Sequence, residues 1–238
     1  MGTTMDAAGH SGVEDLYSEQ RLAEFYNRRA AAGTEHPIAS RRVAERGRFI
    51  RLLKAEGRHS VLELGSGTGL DGQQFVRAGI HYTGVDLSEE HVRRARAKGL
   101  DVSVASARQL PFPDGAFQAA WTMSTLLHIP ATDIDGVVRE LVRVAAPNAP
   151  IAVGLWSGED EEVLNPEDDV EPRRFFSRRS DATVRQVFGR HGAIEDFVTW
   201  PEGAGEESGP GAGHWTQHYQ FLILRTPAAS PPPEQPVS

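Results

Sequence analysis

Residues 61–75 read VLELGSGTGLDGQQF, an apolar run that leads into a glycine-rich turn and then into a helical segment. The run VLEL is typical of a strand that is buried on both faces, as in a parallel sheet. Gly65 and Gly67 have no Cβ, so the backbone there can turn sharply and approach a ligand closely. In an open α/β sheet such a turn lies at the carboxyl ends of the strands, where ligands bind.

Apolar strands alternate with helical stretches on the C-terminal side of this turn. Strands that are separated by helices pair in parallel and form a doubly wound α/β sheet. Helices are expected from Ser88 to about Lys98, at 133–144 and at 180–190. The expected strands are 61–64, 82–87, 101–106, 117–123, 151–156, 193–200 and 214–225.

Two helices are predicted before the first strand, at 13–31 and 38–56. The second places apolar side chains such as Phe49 and Leu53 among many arginines, a pattern typical of a helix that packs on a core. The N-terminal segment and the proline-rich tail lack the apolar residues that packing requires. The expected organisation is a disordered segment 1–12, a single domain 13–226 with a helical cap or lid at 13–56 and an α/β core at 57–226, and a disordered tail 227–238.

Composition excludes several classes of site. The 238 residues contain no cysteine, which excludes a disulfide framework, a thiolate zinc site and a cysteine nucleophile. The formal net charge of −8 opposes nucleic acid as a partner, since phosphate binding needs a basic surface. No apolar run approaches the roughly 18 residues that span a bilayer, and we expect no secretory signal. We therefore expect a cytoplasmic protein with a small-molecule partner, either a monomer or a homodimer.

The spacing of the glycines narrows the choice of cofactor. A dinucleotide site has the pattern G-x-G-x-x-G or A, whereas the position three residues after Gly67 is Leu70. Asp86 ends the second predicted strand about 20 residues beyond the turn, where a carboxylate accepts hydrogen bonds from ribose hydroxyls. This combination predicts an adenosine ligand without a pyrophosphate. An NAD(P)-dependent oxidoreductase on the same fold is the alternative, and the glycine spacing opposes it.

Five segments, in order along the chain, resemble the class I S-adenosylmethionine-dependent methyltransferases, close to the small enzymes often labelled type 11. The resemblance covers about residues 40–225. It implies a Rossmann-like, mostly parallel seven-stranded sheet with an N-terminal helical cap and an antiparallel last strand. The segments that carry it are ELGSGTG (63–69), GVDLSEEHVRRAR (84–96), ARQLPFPDGAFQAAWTMSTLLHIP (107–130), VVRELVRVAAPNAPIAVGLW (137–156) and FFSRRSDATVRQVFGRHGAIEDF (175–197).

The resemblance also implies a cofactor and an activity. S-adenosylmethionine is the expected methyl donor and S-adenosylhomocysteine the product, with methyl transfer to an oxygen or nitrogen of a small-molecule acceptor. Separately, only two of the 25 basic residues are lysine, a bias that suggests a GC-rich source, and for such a source we expect a role in specialised metabolism. A non-catalytic S-adenosylmethionine-binding homologue is a further alternative, because the family usually has Asp at the position of Ser106. The cofactor-binding residues that the resemblance implies are Glu63, Gly65, Ser66, Gly67, Asp86, Leu87, Ser106, Ala107, Arg108 and Met123.

The candidate catalytic residue is His128, in LLHIP after the fourth strand. It is interpreted as a general base or as a group that orients the acceptor, and the alternative is a structural histidine in the turn before Pro130. As a base with an ordinary pKa, it predicts a rate that rises with pH through about 6.5. A departure from the family nearby is Asn148, where the family has glycine, and asparagine is expected to adopt the left-handed conformation there.

Further candidates lie in the predicted cap and in the last strand. Tyr17 and Tyr26 lie in the predicted cap, and Trp215 and Tyr219 are core residues or line the acceptor pocket. His214 and His218 have the spacing of a zinc pair on one face of a strand, but no third ligand follows from the sequence, so no metal site is predicted. The acidic segment 159–171 is a solvated loop or a surface that attracts a cationic acceptor.

Overall fold

A computed structural model describes residues 17–33, 38–168, 170–201 and 218–229. The helices are α1 (Glu19–Ala31), α2 (Ser40–Ala55), α3 (Leu70–Arg77), α4 (Glu89–Ala97), α5 (Ile134–Val144) and α6 (Asp181–Gly189), with a 3₁₀ turn at Leu126–His128. The strands are β1 (Ser60–Leu64), β2 (His81–Asp86), β3 (Val102–Val104), β4 (Ala120–Met123), β5 (Pro150–Trp156), β6 (Glu161–Leu164), β7 (Phe175–Arg178), β8 (Ala193–Pro201) and β9 (His218–Arg225).

Seven strands form one sheet in the order β3-β2-β1-β4-β5-β9-β8. The first five pair in parallel, and β9 runs antiparallel to both β5 and β8. This confirms the predicted mostly parallel sheet with an antiparallel last strand. Chain order reverses between β1 and β4, and in a doubly wound sheet the crevice beside such a reversal is where ligands bind.

Apolar residues bury both faces of this sheet because side chains alternate along each strand. In β1, Val61 packs with the cluster that contains Phe49 of α2 and Phe75 of α3. Leu62 packs on the opposite face with residues of α5 and α6. The first strand is therefore buried on both faces, which accounts for its nearly continuous apolar sequence.

The predicted elements are observed with shifted ends. Helix α1 begins at Glu19, where the Ser18 side chain accepts a hydrogen bond from the Arg21 backbone N–H. The fourth strand begins at Ala120, and Phe117 contributes only an isolated bridge to Ala145. Asn148 has a φ of 58°, which confirms the left-handed turn predicted at this position.

The acidic segment 159–171 contains a structure that the sequence pattern did not predict. Strands β6 and β7 pair antiparallel as a separate two-stranded sheet. Glu161 pairs with Arg178 across this hairpin at 3.0 Å. Asp168 is buried and accepts several hydrogen bonds from the Arg174 guanidinium, 2.5–3.0 Å long. Glu161 and Asp168, which read as part of a solvated loop, are therefore partners of arginines that follow them in the chain.

The predicted disordered segment 1–12 and residues 230–238 of the predicted tail lie outside the described residues. Across the four described ranges, no helix combines the length and the apolar character that crossing a membrane requires.

Candidate functional site

A cavity of about 580 Å³ lies at the carboxyl ends of β1, β2 and β4, and helices α1 and α2 contribute to its walls. Its volume falls within the range of small-molecule and cofactor sites, about 300–1,000 Å³. Ser106, Arg108 and Tyr17 do not line it, and Trp215 lies outside the described residues. The predicted site residues that line the cavity are Tyr26, Glu63, Gly65, Ser66, Gly67, Asp86, Leu87, Ala107, Met123, His128 and Tyr219.

The glycines of the turn after β1 have different tasks. Gly65 has a φ of +76°, and a Cβ at this position would lie 2.0 Å from Oγ1 of Thr125 in the loop after β4. Gly67 also has a positive φ, but a Cβ there would meet no protein atom within 4 Å. Gly65 therefore lets two loops of the protein approach each other. Gly67 also lines the cavity, but the space beside it is open and can be filled by a ligand.

Asp86 ends β2 and is held by backbone donors on both sides. The Gly67 N–H donates to its Oδ2 at 2.8 Å, and the Ser88 N–H donates to its Oδ1 at 2.9 Å. Nδ1 of His91 lies 3.3 Å from Oδ1. Two carboxylate oxygens offer about four acceptor positions, so these partners fix the carboxylate and leave capacity for a ligand hydroxyl.

Glu63 is the acid that precedes the glycine turn, and it is 1% exposed. The Tyr82 hydroxyl donates to its Oε2 at 2.6 Å. Burial raises the pKa of Glu63 well above its ordinary range, and the nearby Asp71 carboxylate raises it further. The carboxyl is thus poised to gain a proton or to meet a cationic ligand group in the cavity.

A buried cluster around Asp71 was missed by the sequence reasoning. Asp71, in the first turn of α3, accepts hydrogen bonds from Arg42, Arg46 and the Trp121 indole, the last at 3.0 Å. Burial raises the pKa of Asp71, but the two guanidinium groups outweigh this, and the net shift is downward. Two positive groups share one carboxylate, so the cluster carries a net positive charge. Arg42 lines the cavity, so part of this positive charge faces the cavity.

Two features of the sequence could have indicated the cluster around Asp71. Helix α2 is rich in arginines, which read as a solvated face, and Asp71 follows the glycine turn in the first turn of a helix. Arg46 is nevertheless buried, as is Asp71. Only the packing of α2 against α3 shows which arginines of the helix face inward.

His128 lies in the 3₁₀ turn after β4 and is 4% exposed. Its Nδ1 lies 2.9 Å from the Phe175 carbonyl oxygen, which can only accept, so Nδ1 carries the proton. Its Nε2 therefore accepts from the Tyr26 hydroxyl, 2.8 Å away. Burial lowers the pKa of His128 to about 4. The sequence analysis expected this imidazole to have a pKa near 6.5, and that expectation is wrong. The pKa is lower because the side chain is buried, which the sequence alone does not show.

Helix α1 contacts the loops after three strands, β2, β3 and β4. Oδ1 of Asn27 accepts from Ser88 Oγ at 2.7 Å and from the Glu90 N–H at 3.1 Å, at the start of α4. Ser106 Oγ, in the loop after β3, donates to Glu19 at 2.6 Å. Tyr26 reaches the loop after β4 through His128. The predicted cap helix therefore spans the cavity. Ser106 was predicted to bind the cofactor, but it hydrogen-bonds to this helix and does not line the cavity.

Aromatic side chains line the other end of the cavity. Tyr219, at the start of β9, contacts Trp156 and Trp200, with ring centroids 5.0 Å apart in both pairs. The Tyr219 hydroxyl lies 3.1 Å from Ser124 Oγ, and Ser124 has a φ of 54° directly after β4. Trp156, Trp200 and Ser124 were not among the predicted site residues, because their strands come together only in the fold.

The remaining candidates lie away from the cavity. His218 is bonded to Asp181 at 2.8 Å, and His214 falls outside the described residues. Tyr17 packs on Phe175, with the Arg108 guanidinium over its ring. Among the described residues no group of three or more His, Asp or Glu side chains is arranged to hold a metal ion. None of the described acids of the segment 159–171 lines the cavity.

Comparison with known proteins gives a consistent family. A family model described as a methyltransferase domain matches residues 61–148. The chain is 31% identical over 176 residues to a protein of Oryza sativa subsp. japonica named "Probable tocopherol O-methyltransferase, chloroplastic", covering 66% of this chain and 48% of that protein. It is 30% identical over 151 residues to the 27-O-demethylrifamycin SV methyltransferase of Amycolatopsis mediterranei strain S699, covering 60% and 53%. The chain thus spans about half the length of these curated relatives.

A solved structure shows the same fold over nearly the whole chain. It is the Burkholderia thailandensis 1,6-didemethyltoxoflavin-N1-methyltransferase with bound 1,6-didemethyltoxoflavin and S-adenosylhomocysteine. The TM-score is 0.64 at 18% sequence identity, and the match covers 94% of this chain and 93% of that one. The sheet order, the glycine turn with Asp86 and the sequence matches lead to one assignment. Residues 61–148 match a methyltransferase domain, and the relatives and the shared fold support a class I S-adenosylmethionine-dependent methyltransferase, whose cofactor is S-adenosylmethionine.

Proposed function

We propose that the protein transfers the methyl group of S-adenosylmethionine to an oxygen or nitrogen of a small-molecule acceptor. The observation that carries this proposal is the arrangement of one continuous cavity. Asp86 lies at the end of β2, Gly67 lies beside it, and the Tyr26–His128 pair lies at the end of β4. A donor site and a site for a proton-bearing nucleophile are thus adjacent.

The described residues fit an adenosine ligand that carries an amino acid. Asp86 retains acceptor capacity for ribose hydroxyls, and Leu87 and Ala107 offer an apolar surface to a base. Glu63 suits the ammonium of the amino acid part. Arg42 suits its carboxylate, since an Arg guanidinium binds a carboxylate through parallel hydrogen bonds. The open side of Gly67 provides the close approach that such a ligand requires.

S-adenosylmethionine supplies an activated methyl group on a sulfonium, and the reaction is an in-line displacement. The protein must place the nucleophile about 3 Å from the methyl carbon and exclude water. Helix α1 covers the cavity through its contacts with three loops, which suits the second task. Positioning supplies the greater part of the rate enhancement in this mechanism.

His128 is assigned to orient the acceptor through the Tyr26 hydroxyl, which it holds at Nε2. The Phe175 carbonyl fixes the tautomer that leaves Nε2 free of hydrogen. The Tyr26 hydroxyl donates to Nε2, and its oxygen can still accept a hydrogen bond from an acceptor hydroxyl or amine. Because burial lowers the pKa of His128 to about 4, the imidazole is neutral at pH 7 and able to accept a hydrogen bond.

The experiment is a two-step measurement. Calorimetry with S-adenosylhomocysteine, NAD and NADP identifies the cofactor, and we expect binding of S-adenosylhomocysteine alone. Methyl-labelled donor is then incubated with panels of phenols and amines, and product is detected by transfer of the label. Tight NAD binding without S-adenosylhomocysteine binding would contradict the proposal. S-adenosylhomocysteine binding with no labelled product in any panel favours the non-catalytic alternative.

A further inference from the structure

Three aromatic residues form a row across neighbouring strands at one end of the cavity. In the sheet order β5-β9-β8, Trp156 lies opposite Tyr219, and Tyr219 lies opposite Trp200. Both tryptophan rings lie 5.0 Å from the tyrosine ring, measured between centroids. All three residues line the cavity. We call this set, Trp156, Tyr219 and Trp200, the aromatic wall.

The central ring of the aromatic wall is held in place on two sides. A Cβ at Gly154 of β5 would lie 2.4 Å from the Tyr219 hydroxyl oxygen, so the absent side chain makes the space that this phenol fills. The same hydroxyl lies 3.1 Å from Ser124 Oγ. Tyr219 is 5% exposed, whereas Trp156 and Trp200 are only partly buried. The wall is therefore preformed, and its tryptophans have ring surface left for a ligand.

An aromatic wall can bind either a flat ring by stacking or a cation over its ring faces, and the charges around the wall decide between the two. Among the described residues, three acidic side chains line the cavity, and each already has protein partners. Glu63 accepts from Tyr82, Asp71 is shared by two arginines, and Asp86 accepts from two backbone N–H groups. The proposed donor uses Glu63 for its ammonium and Asp86 for its ribose, and Asp71 is neutralised by two arginines, so no acid of the cavity is left to pair with a positive group on an acceptor.

Positive groups, in contrast, already lie beside the wall. The Arg41 guanidinium lies over the Trp200 ring, 5.2 Å from its centroid, and Arg42 lines the cavity. A cationic ligand on this wall would face like charges, whereas a planar ring without positive charge can stack on the indoles.

We propose that the aromatic wall is the acceptor subsite and that the acceptor is a planar aromatic compound that is neutral or anionic. This inference rests on the proposed methyl transfer. It names the class of substrate that the cavity selects, and it makes Trp200 and Trp156 specificity-determining residues.

The test uses three probes that share one naphthalene ring system and carry a neutral, a negative or a positive substituent: 2-naphthol, 2-naphthoate and 2-naphthylmethylammonium. Each is titrated by calorimetry into the full chain saturated with S-adenosylhomocysteine. We expect 2-naphthol and 2-naphthoate to bind at least about tenfold more tightly than the ammonium compound. Trp200→Ala and Trp156→Ala should each weaken the first two probes about tenfold, with the dissociation constant of S-adenosylhomocysteine unchanged.

Phe197→Ala is the matched control. Phe197 is an aromatic residue of the same strand as Trp200, packs on Arg185 and does not line the cavity, so its replacement should leave all three probes unaffected. The inference is overturned if the ammonium probe binds as tightly as the others. It is equally overturned if the tryptophan variants bind the probes like the parent protein, or if no probe binds the S-adenosylhomocysteine complex. Failure of S-adenosylhomocysteine itself to bind overturns the proposed function, and the inference with it.

Discussion

The Tyr26 hydroxyl donates to Nε2 of His128 across 2.8 Å and so joins helix α1 to the turn after β4. The two residues are 102 positions apart in the chain. The phenol comes from the helix that covers the cavity, and the imidazole comes from the strand end where the methyl group is expected. Closure of the helix over the cavity and placement of the imidazole are therefore coupled through one hydrogen bond.

The first prediction concerns this bond. Tyr26→Phe removes the hydroxyl and keeps the ring, so His128 loses its partner at Nε2. The rate of methyl transfer should fall about 10- to 100-fold, because the nucleophile is less well positioned. The dissociation constant of S-adenosylhomocysteine should change little. Tyr17→Phe is the control, since Tyr17 lies in the same part of the chain but does not line the cavity. Equal rate losses in both variants would contradict a specific role for Tyr26.

The second prediction is a pH dependence of stability. The pKa of His128 is about 4 in the folded protein, below the ordinary value of about 6.5, so the unfolded chain binds the proton more strongly. The contribution of His128 to the free energy of unfolding is therefore fully present above pH 6.5 and is lost as the pH falls towards 4. Its slope is at most about 1.4 kcal/mol per pH unit.

The measurement for this prediction is urea unfolding of the parent protein and of His128→Gln between pH 7 and pH 4. Acidic residues titrate in both proteins, so they cancel in the difference between the two unfolding free energies. That difference should narrow or change sign as the pH falls from 6.5. A difference that stays constant over the whole range would show that the imidazole is not buried in its neutral form.

The third prediction concerns the ribose site. Asp86→Ala removes a carboxylate that is expected to accept hydrogen bonds from the ribose, which are worth roughly 1.5–3 kcal/mol when a charged group is involved. S-adenosylhomocysteine should bind about 10- to 100-fold more weakly in calorimetry. Asp101→Ala provides the control, because Asp101 is exposed and directly precedes β3, at the opposite end of the sheet from Asp86. An unchanged affinity in Asp86→Ala would assign Asp86 to holding the Gly67 and Ser88 backbone only.

The fourth prediction separates the two ends of the donor. If Arg42 binds the carboxylate of the amino acid part, Arg42→Ala should weaken S-adenosylhomocysteine about tenfold or more. 5′-Methylthioadenosine has no carboxylate, so its affinity should be nearly unaffected. Arg41→Ala is the neighbouring control, because Arg41 is exposed and pairs with Glu45 on the same helix. A parallel loss of affinity for both ligands would mean that Arg42 acts through the fold and not through the carboxylate.

Features that depend only on residues close together in the chain were predictable from the sequence. The strand at 60–64, the glycine turn and the carboxylate at the end of β2 follow from short patterns in which the nature of each residue sets its own conformation. The alternation of strands and helices then requires parallel pairing, which placed Gly67 and Asp86 at the same edge of the sheet. The left-handed turn at Asn148 is likewise a local property.

Other features were decided only by the tertiary structure, because they join residues far apart in the chain or depend on burial. Asp71 meets Arg42 across 29 positions, and only the packing of α2 selects that arginine from its many neighbours. The aromatic wall exists because the register of β5, β9 and β8 places its three members opposite one another. The low pKa of His128 arises from the desolvation that the surrounding elements impose together. Sequence periodicity sets which face of an element is apolar, but the distances and charges across the cavity are set by how those faces meet.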